Sequence, residues 1–256
     1  MGNYYFLAPS LPPLEIGHKP EISSEELFTR FEINLSEEDL KKVIVLRRFI
    51  DLNNIRAQLL EEVIDSRGNL NEKELDEAIL TSDIFPEYVF DFLKNYETPS
   101  ERLKNFPRLL SQFFLEEIPL AEGFLKRYLT FEREWRLVMI ALRSKQFGKD
   151  LFRELQFEDP KDPLIASILA QKDEKEYEPP LEYTDLKELY LSCGPDPWQQ
   201  YKTFAAWRFH RIDELIDQPS FSIDWILGYM AKLMILENWS DLNEEKGAMI
   251  LETLKG

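Results

Sequence analysis

The chain offers little conventional reactive chemistry: two histidines, His18 and His210, and one cysteine, Cys193, among 256 residues. Glu15-Ile16-Gly17-His18 has the Glu-x-x-His spacing of carboxylate-bridged di-iron bundles, which need two such motifs on regular helices. Gly17 disfavours a helix there, and the residue three before His210 is Trp207, so no metal site is expected. His210, within Trp207-Arg208-Phe209-His210-Arg211, reads as a helix residue with a hydrogen-bonded edge. Cys193 lies in Leu191-Ser192-Cys193-Gly194-Pro195, at an expected helix C-terminus, with no histidine or base beside it to make a thiolate. No Gly-x-Ser-x-Gly elbow, phosphate-cradling glycine loop, His-Glu-x-x-His or Asp-x-Asp-x-Asp-Gly loop occurs. The expectation is a protein that is not an enzyme, with no catalytic residue, cofactor or metal.

One local charge anomaly does suggest a binding function. Lys126, Arg127, Arg133, Arg136, Arg143, Lys145, Lys149 and Arg153 share their window with only Glu132, Glu134 and Asp150, whereas the whole chain carries a net charge of −17. Arg133, Arg136, Arg143, Lys145 and Lys149 are the candidate protein-interaction residues. Arg136 and Arg143 are seven apart and so share a helix face. Two readings stand side by side: internal counter-charge for neighbouring acidic helices, or a docking patch whose charge orients an acidic partner.

The remaining arithmetic narrows the class. A charge of −17 and a pI near 4.7 repel polyphosphate, so no nucleic-acid partner is expected. A composition 44% hydrophobic and 13% aromatic supplies a core and rules out an acidic disordered tail. A lone cysteine forms no intrachain disulfide, which fits a reducing compartment. The first residues lack a basic region, Phe6 stands where a myristoylation signal on Gly2 needs Ser or Thr, and no apolar run approaches the roughly 20 residues that span a bilayer. A cytoplasmic protein without direct membrane insertion is expected.

The elements that would carry these residues read as all-α. Nine glycines, and valine only at 43, 45, 63, 89 and 138, are poor material for sheets. Apolar residues step by three or four from Phe106 through Leu109/Leu110, Phe113/Phe114, Ile118, Ala121, Phe124/Leu125 and Tyr128, and on through Trp135 and Val138/Met139 to Leu142, with a kink expected at Pro119. Similar stripes run from Leu40 to Ile64, Trp198 to Ile216 and Ile226 to Leu236. Ser23 with Glu26 and Asn71 with Glu74 have capping-box spacing. Thr98-Pro99, Asp162-Pro163 and Asp196-Pro197 place a cap before a first-turn proline, and Phe85-Pro86 is a weaker start. About eight to eleven helices are predicted. Prolines 9, 12, 13 and 20 predict an extended N-terminus, with Tyr4 to Leu7 in a short strand or a groove. Four prolines and the run Lys172-Asp173-Glu174-Lys175-Glu176 mark 156–180 as loops around one short helix, Leu164 to Ala170. The predicted organisation is an N-terminal helical region, 1–158, a connector, 159–180, and a C-terminal helical region, 181–256.

Tyr4-Tyr5-Phe6-Leu7-Ala8-Pro9-Ser10-Leu11-Pro12-Pro13-Leu14, with Ile22-Ser23-Ser24-Glu25-Glu26-Leu27-Phe28 and Leu35-Ser36-Glu37-Glu38-Asp39-Leu40, resembles an uncharacterised bacterial family encoded in V/A-type ATPase operons. Those operons typically lack a separate gene for the C-type stalk component. A more distant resemblance is to that C-type component itself, known as the d-type one in eukaryotes. Its lobes carry an acid, a polar or aromatic residue three or four later, an arginine, and a glycine after a basic stretch. Glu132-x-x-Trp135-Arg136 followed by Arg143-Ser144-Lys145-Gln146-Phe147-Gly148 looks like that pattern. Asp51-x-x-Asn54-Ile55-Arg56 is a looser match, and Glu237-Asn238-Trp239 with Lys246-Gly247 a third, without the arginine after Trp239. The chain is shorter than a usual C-type stalk component, and Pro12-Pro13 interrupts what would be its first helix.

The resemblance implies three helical lobes and a non-catalytic rotor subunit of the central stalk, coupling the soluble stalk to the membrane ring of proteolipid subunits. Its partners would be other subunits of that ATPase, holding it peripherally at the inner membrane. A helical adaptor or assembly factor of the same complex is the alternative. A small-molecule enzyme working through a carboxylate-lined pocket is the remote one.

Overall fold

The computed structural model describes residues 4–81, 83–194, 196–217 and 220–255, with side chains up to residue 242. Among them are eleven α-helices and no strand. In chain order these are α1 (Ser24–Asn34), α2 (Glu37–Leu59), α3 (Glu72–Thr81), α4 (Glu87–Asn95), α5 (Pro99–Leu120), α6 (Gly123–Phe147), α7 (Leu151–Glu154), α8 (Pro163–Ala170), α9 (Thr184–Ser192), α10 (Pro197–Leu215) and α11 (Ile223–Lys255). Gly2 lies outside the described residues, as do Pro195 and the side chain of Lys246.

The starts follow from local hydrogen bonding. Thr98 and Glu101 form a complete capping box at α5, and Asn71 and Glu74 exchange the same two bonds at α3. Ser23 accepts from the Glu26 N–H, but the Glu26 carboxylate turns to Arg30, so only half of that box forms. Asp162 and Asp196 cap α8 and α10 with proline at the first helical position. Phe85-Pro86 does precede a helix, with Pro86 as the residue before its first turn.

The polypeptide divides into two compact units. One comprises Met1–Val43, Gly123–Leu125 and Glu188–Gly256. Here α11 packs against α1 and α10 over a core that includes Leu27, Phe31, Phe124, Ile212, Ile226 and Met230. The N-terminal segment belongs to this core: Tyr4, Leu7, Ala8 and Leu11 are buried. The Tyr4 N–H donates to the Phe221 carbonyl at 2.8 Å, and the Tyr229 hydroxyl donates to the Pro12 carbonyl at 2.8 Å. The expected extended run is absent between residues 5 and 10. The chain turns there into a 3-10 helix, Ala8–Ser10, because Pro9 presets the first-turn φ and the Ser10 hydroxyl returns to the Leu7 carbonyl.

The other unit comprises Ile44–Glu122 and Lys126–Lys187. It is built on α4 against α5 and α7 against α8, around Leu52, Ile55, Leu109, Phe113, Phe114 and Ile165. Each of these large apolar side chains contributes about 1.5–3 kcal/mol by leaving water. Phe49 meets Phe113 and Phe114 at ring centroid distances of 5.7 and 5.8 Å.

Two expectations change at this level. Pro119 marks the last turn of α5 instead of a kink in a continuous helix. The Ala121 N–H closes onto the Glu117 and Ile118 carbonyls, and Gly123 then takes φ +55 to start α6. A Cβ on Gly123 would lie 2.7 Å from Asp224 Oδ1, so the reversal needs glycine for both conformation and space. The segment 159–180 is also no boundary, since it falls wholly inside the second unit. The Lys145 ammonium donates to the carbonyls of Gln171, Lys172 and Glu174 at 2.7, 2.6 and 2.7 Å, the Gln171 side chain exchanges two bonds with the Glu178 backbone, and Tyr177 is buried. A stretch whose backbone is satisfied this way packs as part of a core despite its prolines and charges.

Candidate functional site

The five candidate interaction residues do not form a single patch. Arg133 places its guanidinium between Glu158 at 3.0 Å and Asp162 at 2.9 Å, and all three side chains are largely buried. Arg136 lies over the rings of Phe49 and Phe114, at 5.6 and 5.4 Å from their centroids. Lys145 is occupied by the three carbonyls described above. Only Arg143 and Lys149 are exposed, with Lys149 3.9 Å from Glu154. Lys145 sits two residues from Arg143, hence about 200° around the helix, and Lys149 lies beyond Gly148, whose φ of +63 ends α6. Of the five, Arg133 is thus counter-charge to neighbouring acids, whereas Arg136 and Lys145 are held by rings and carbonyls.

The residues that resemble the C-type stalk pattern lie on α2, α6 and α11, the three longest helices among the described residues. Each acid is engaged structurally. Asp51, 1% exposed, accepts from the Asn69 side chain at 2.6 Å and the Leu70 N–H at 3.2 Å, and Asn54 exchanges two bonds with the Asp65 backbone. Together they clamp the 65–70 loop to α2, so closely that a Cβ on Gly68 would lie 2.5 Å from Asp51 Oδ1. Burial pushes the Asp51 carboxyl above its ordinary range. Glu132, also buried, accepts from the Trp135 indole at 2.9 Å. Glu237 accepts the Ser24 N–H at 2.7 Å and the Ser24 hydroxyl, which satisfies the first turn of α1.

A concave feature lies elsewhere in the second unit, lined by residues of α2, α4 and α5. It is an open cleft of about 550 Å³. Its floor is a trio centred on the buried Glu117: Arg48 on α2 donates to Glu117 on α5, and the Tyr88 hydroxyl on α4 donates to the same Glu117 oxygen at 3.1 Å. Burial first, and then the Glu117 charge, push the Tyr88 phenol well above its ordinary pKa, so it remains a donor. Carboxylates of Glu87, Asp91 and Glu116 stand on the rim with one cation, Arg108. Sequence reading passed over this trio. The available signal was that Glu117 follows Phe113 by four and Leu110 by seven, so it occupies a core position of the α5 stripe; Arg48 likewise sits three after Val45 and four before Leu52.

His18 and His210 are exposed, His18 lying 3.6 Å from Glu15 and His210 edge-on to Phe209. Cys193 follows α9 directly, its thiol 3.4 Å from the Tyr190 carbonyl. Among the described residues no group of three His, Cys, Asp or Glu side chains is arranged to hold a metal ion, and no helix is long and apolar enough to cross a membrane.

The model of one protein family, described as "Protein of unknown function (DUF2764)", matches residues 1–256. The chain belongs to this family. Relatives of matching length share its whole span. An "Uncharacterized protein" of Chlamydia muridarum is 28% identical over 261 residues, covering 100% of this chain and 98% of its own. Its counterparts in Chlamydia trachomatis and Chlamydia pneumoniae are 26% and 28% identical with the same coverage. No solved structure matches. The geometry of this DUF2764 protein combines a helical scaffold, a polar-floored cleft, and acids on its three longest described helices that fasten loops and helix ends.

Proposed function

We propose that this DUF2764 protein is a non-catalytic rotor subunit of a bacterial V/A-type ATPase, joining the soluble central stalk to the membrane proteolipid ring and held at the inner membrane through those partners. The observation that carries the reading is that the three segments resembling the C-type stalk pattern lie on the three longest described helices, each with its acid in a structural role. A coupling component transmits force through shape, and buried acids that lock loops and helix ends resist deformation in a close-packed interior. The resemblance of the N-terminal segment to a family encoded with such ATPases points to the same complex. The expected mode is broad protein–protein contact, since permanent joints bury on the order of 2,000 Å² or more.

The test is deletion followed by assay of ATP hydrolysis and ATP-driven ion pumping, with identification of the bands in the purified ATPase. Retained hydrolysis with lost pumping, and stoichiometric presence of this chain, are the expected results. Full coupling without the protein overturns the proposal. Impaired assembly without its presence in the finished complex assigns it to the adaptor class.

A further inference from the structure

We infer that the cleft between α4 and α5 receives a basic segment of a partner protein, in which a Lys or Arg side chain lies beside an apolar one. The volume, about 550 Å³, falls within the range of sites that enclose ligand groups, roughly 300–1,000 Å³. Its charge selects the ligand. Rim carboxylates Glu87, Asp91 and Glu116 outnumber Arg108, so an approaching anion is repelled and a cation drawn in. Glu87 and Asp91 make no ion pair among the described residues.

The floor adds a second and independent observation. Glu117 is 7% exposed and lines the cleft, yet both of its bonds, from Arg48 and Tyr88, fall on one oxygen. Its other oxygen accepts nothing among the described residues. With both donors on one oxygen, the other oxygen keeps lone-pair directions for an incoming ammonium or guanidinium.

The surroundings favour a chain segment over a free small cation. The amide side chains of Asn95 and Gln112 line the same cleft, suited to peptide N–H and C=O groups. Leu120 supplies an apolar wall. Leu120 is 80% exposed. Apolar side chains left in water beside unpaired charges are characteristic of a surface that is covered in a complex. The inference is independent of which assembly the protein serves.

The test uses the full chain and a blocked peptide, acetyl-Leu-Lys-Ala-Leu-Arg-amide, titrated by calorimetry and by amide NMR at low and raised salt. The expected result is saturable, salt-weakened binding that shifts the amides of Tyr88, Asn95 and Gln112. Glu87→Gln with Asp91→Asn, both exposed positions, should then lower the affinity by about tenfold, the loss of roughly one good charge contact. The charge-matched control, Glu25→Gln with Glu32→Gln, should leave it within about twofold. Absence of binding overturns the inference. So does equal weakening by the two double variants, which would mean general attraction to an acidic protein, and so does spermidine binding at the same amides with equal affinity, which would mean a small-cation site.

Discussion

Glu117 shows how one buried acid decides the behaviour of its neighbours. Removing it leaves the guanidinium of Arg48, whose side chain is 16% exposed, and the Tyr88 hydroxyl without their shared acceptor. Glu117→Ala should therefore lower the unfolding free energy by about 3 kcal/mol or more, read as a lower urea midpoint. Arg48→Met combined with Glu117→Leu should recover most of that loss, because no orphaned charge remains. Asp39 makes a related point through pH. Burial alone would raise its pKa, but the Lys42 ammonium at 2.7 Å and the Tyr4 hydroxyl outweigh it and hold the carboxyl below the ordinary 3.8. An acid with a depressed folded pKa contributes stability that is present above its unfolded pKa and lost as pH falls through the folded one. The stability gap between the native chain and Asp39→Asn should thus be full at neutral pH and close below pH 3.8. Asp51, raised by burial, works in the opposite direction: its contribution is full below the same reference value and fades as pH rises through the folded pKa.

Helix ends separate what the sequence discloses from what only folding brings together. Thr98 with Glu101 and Asn71 with Glu74 are three residues apart, so their caps are readable as spacing. The α1 and α6 starts depend instead on α11: Glu237 reaches Ser24 across 213 positions, and Asp224 accepts from the Phe124 N–H at 3.0 Å across 100. No local pattern encodes such a pair. The cleft floor was hidden for the same reason, since Arg48 and Glu117 are 69 apart and each reads alone as an ordinary charged helix residue. The all-α character was legible because apolar period and capping are repeated along the chain, and the α8 start is readable in Asp162-Pro163. Glu237→Ala should consequently loosen α1 selectively. Hydrogen exchange at residues 24–27 should accelerate about tenfold or more, with α4 and α5 unchanged; uniform acceleration would mean that the cap stabilises far more than one helix end.

For the whole molecule, −17 is a distribution as well as a total. Arg133, Arg136 and Lys145 are engaged within the second unit, which leaves Arg143 and Lys149 as the outward members of the five candidates. Arg143→Glu should leave the circular dichroism spectrum and urea midpoint unchanged within about 0.5 kcal/mol, as exposed substitutions do. If that position docks an acidic partner, the same change should weaken the complex, and raising salt should shrink the difference from the native chain. A collapsed fold would instead place Arg143 among the internal counter-ions. The organisation along the chain was the least legible feature. Prolines and a charge run in 159–180 look like a linker, yet Lys145 supplies from a distant helix the hydrogen bonds that such a segment lacks by itself.

That lysine is in effect a monovalent cation carried on a tether, with three carbonyl oxygens replacing part of its hydration shell. Lys145→Met would leave the oxygens of residues 171, 172 and 174 facing one another without the positive charge that reconciles them. A potassium ion could then serve as a diffusible substitute. The thermal midpoint of Lys145→Met should accordingly be higher in potassium chloride than in choline chloride at equal ionic strength, while the native chain, already supplied with its own ion, should show no such preference.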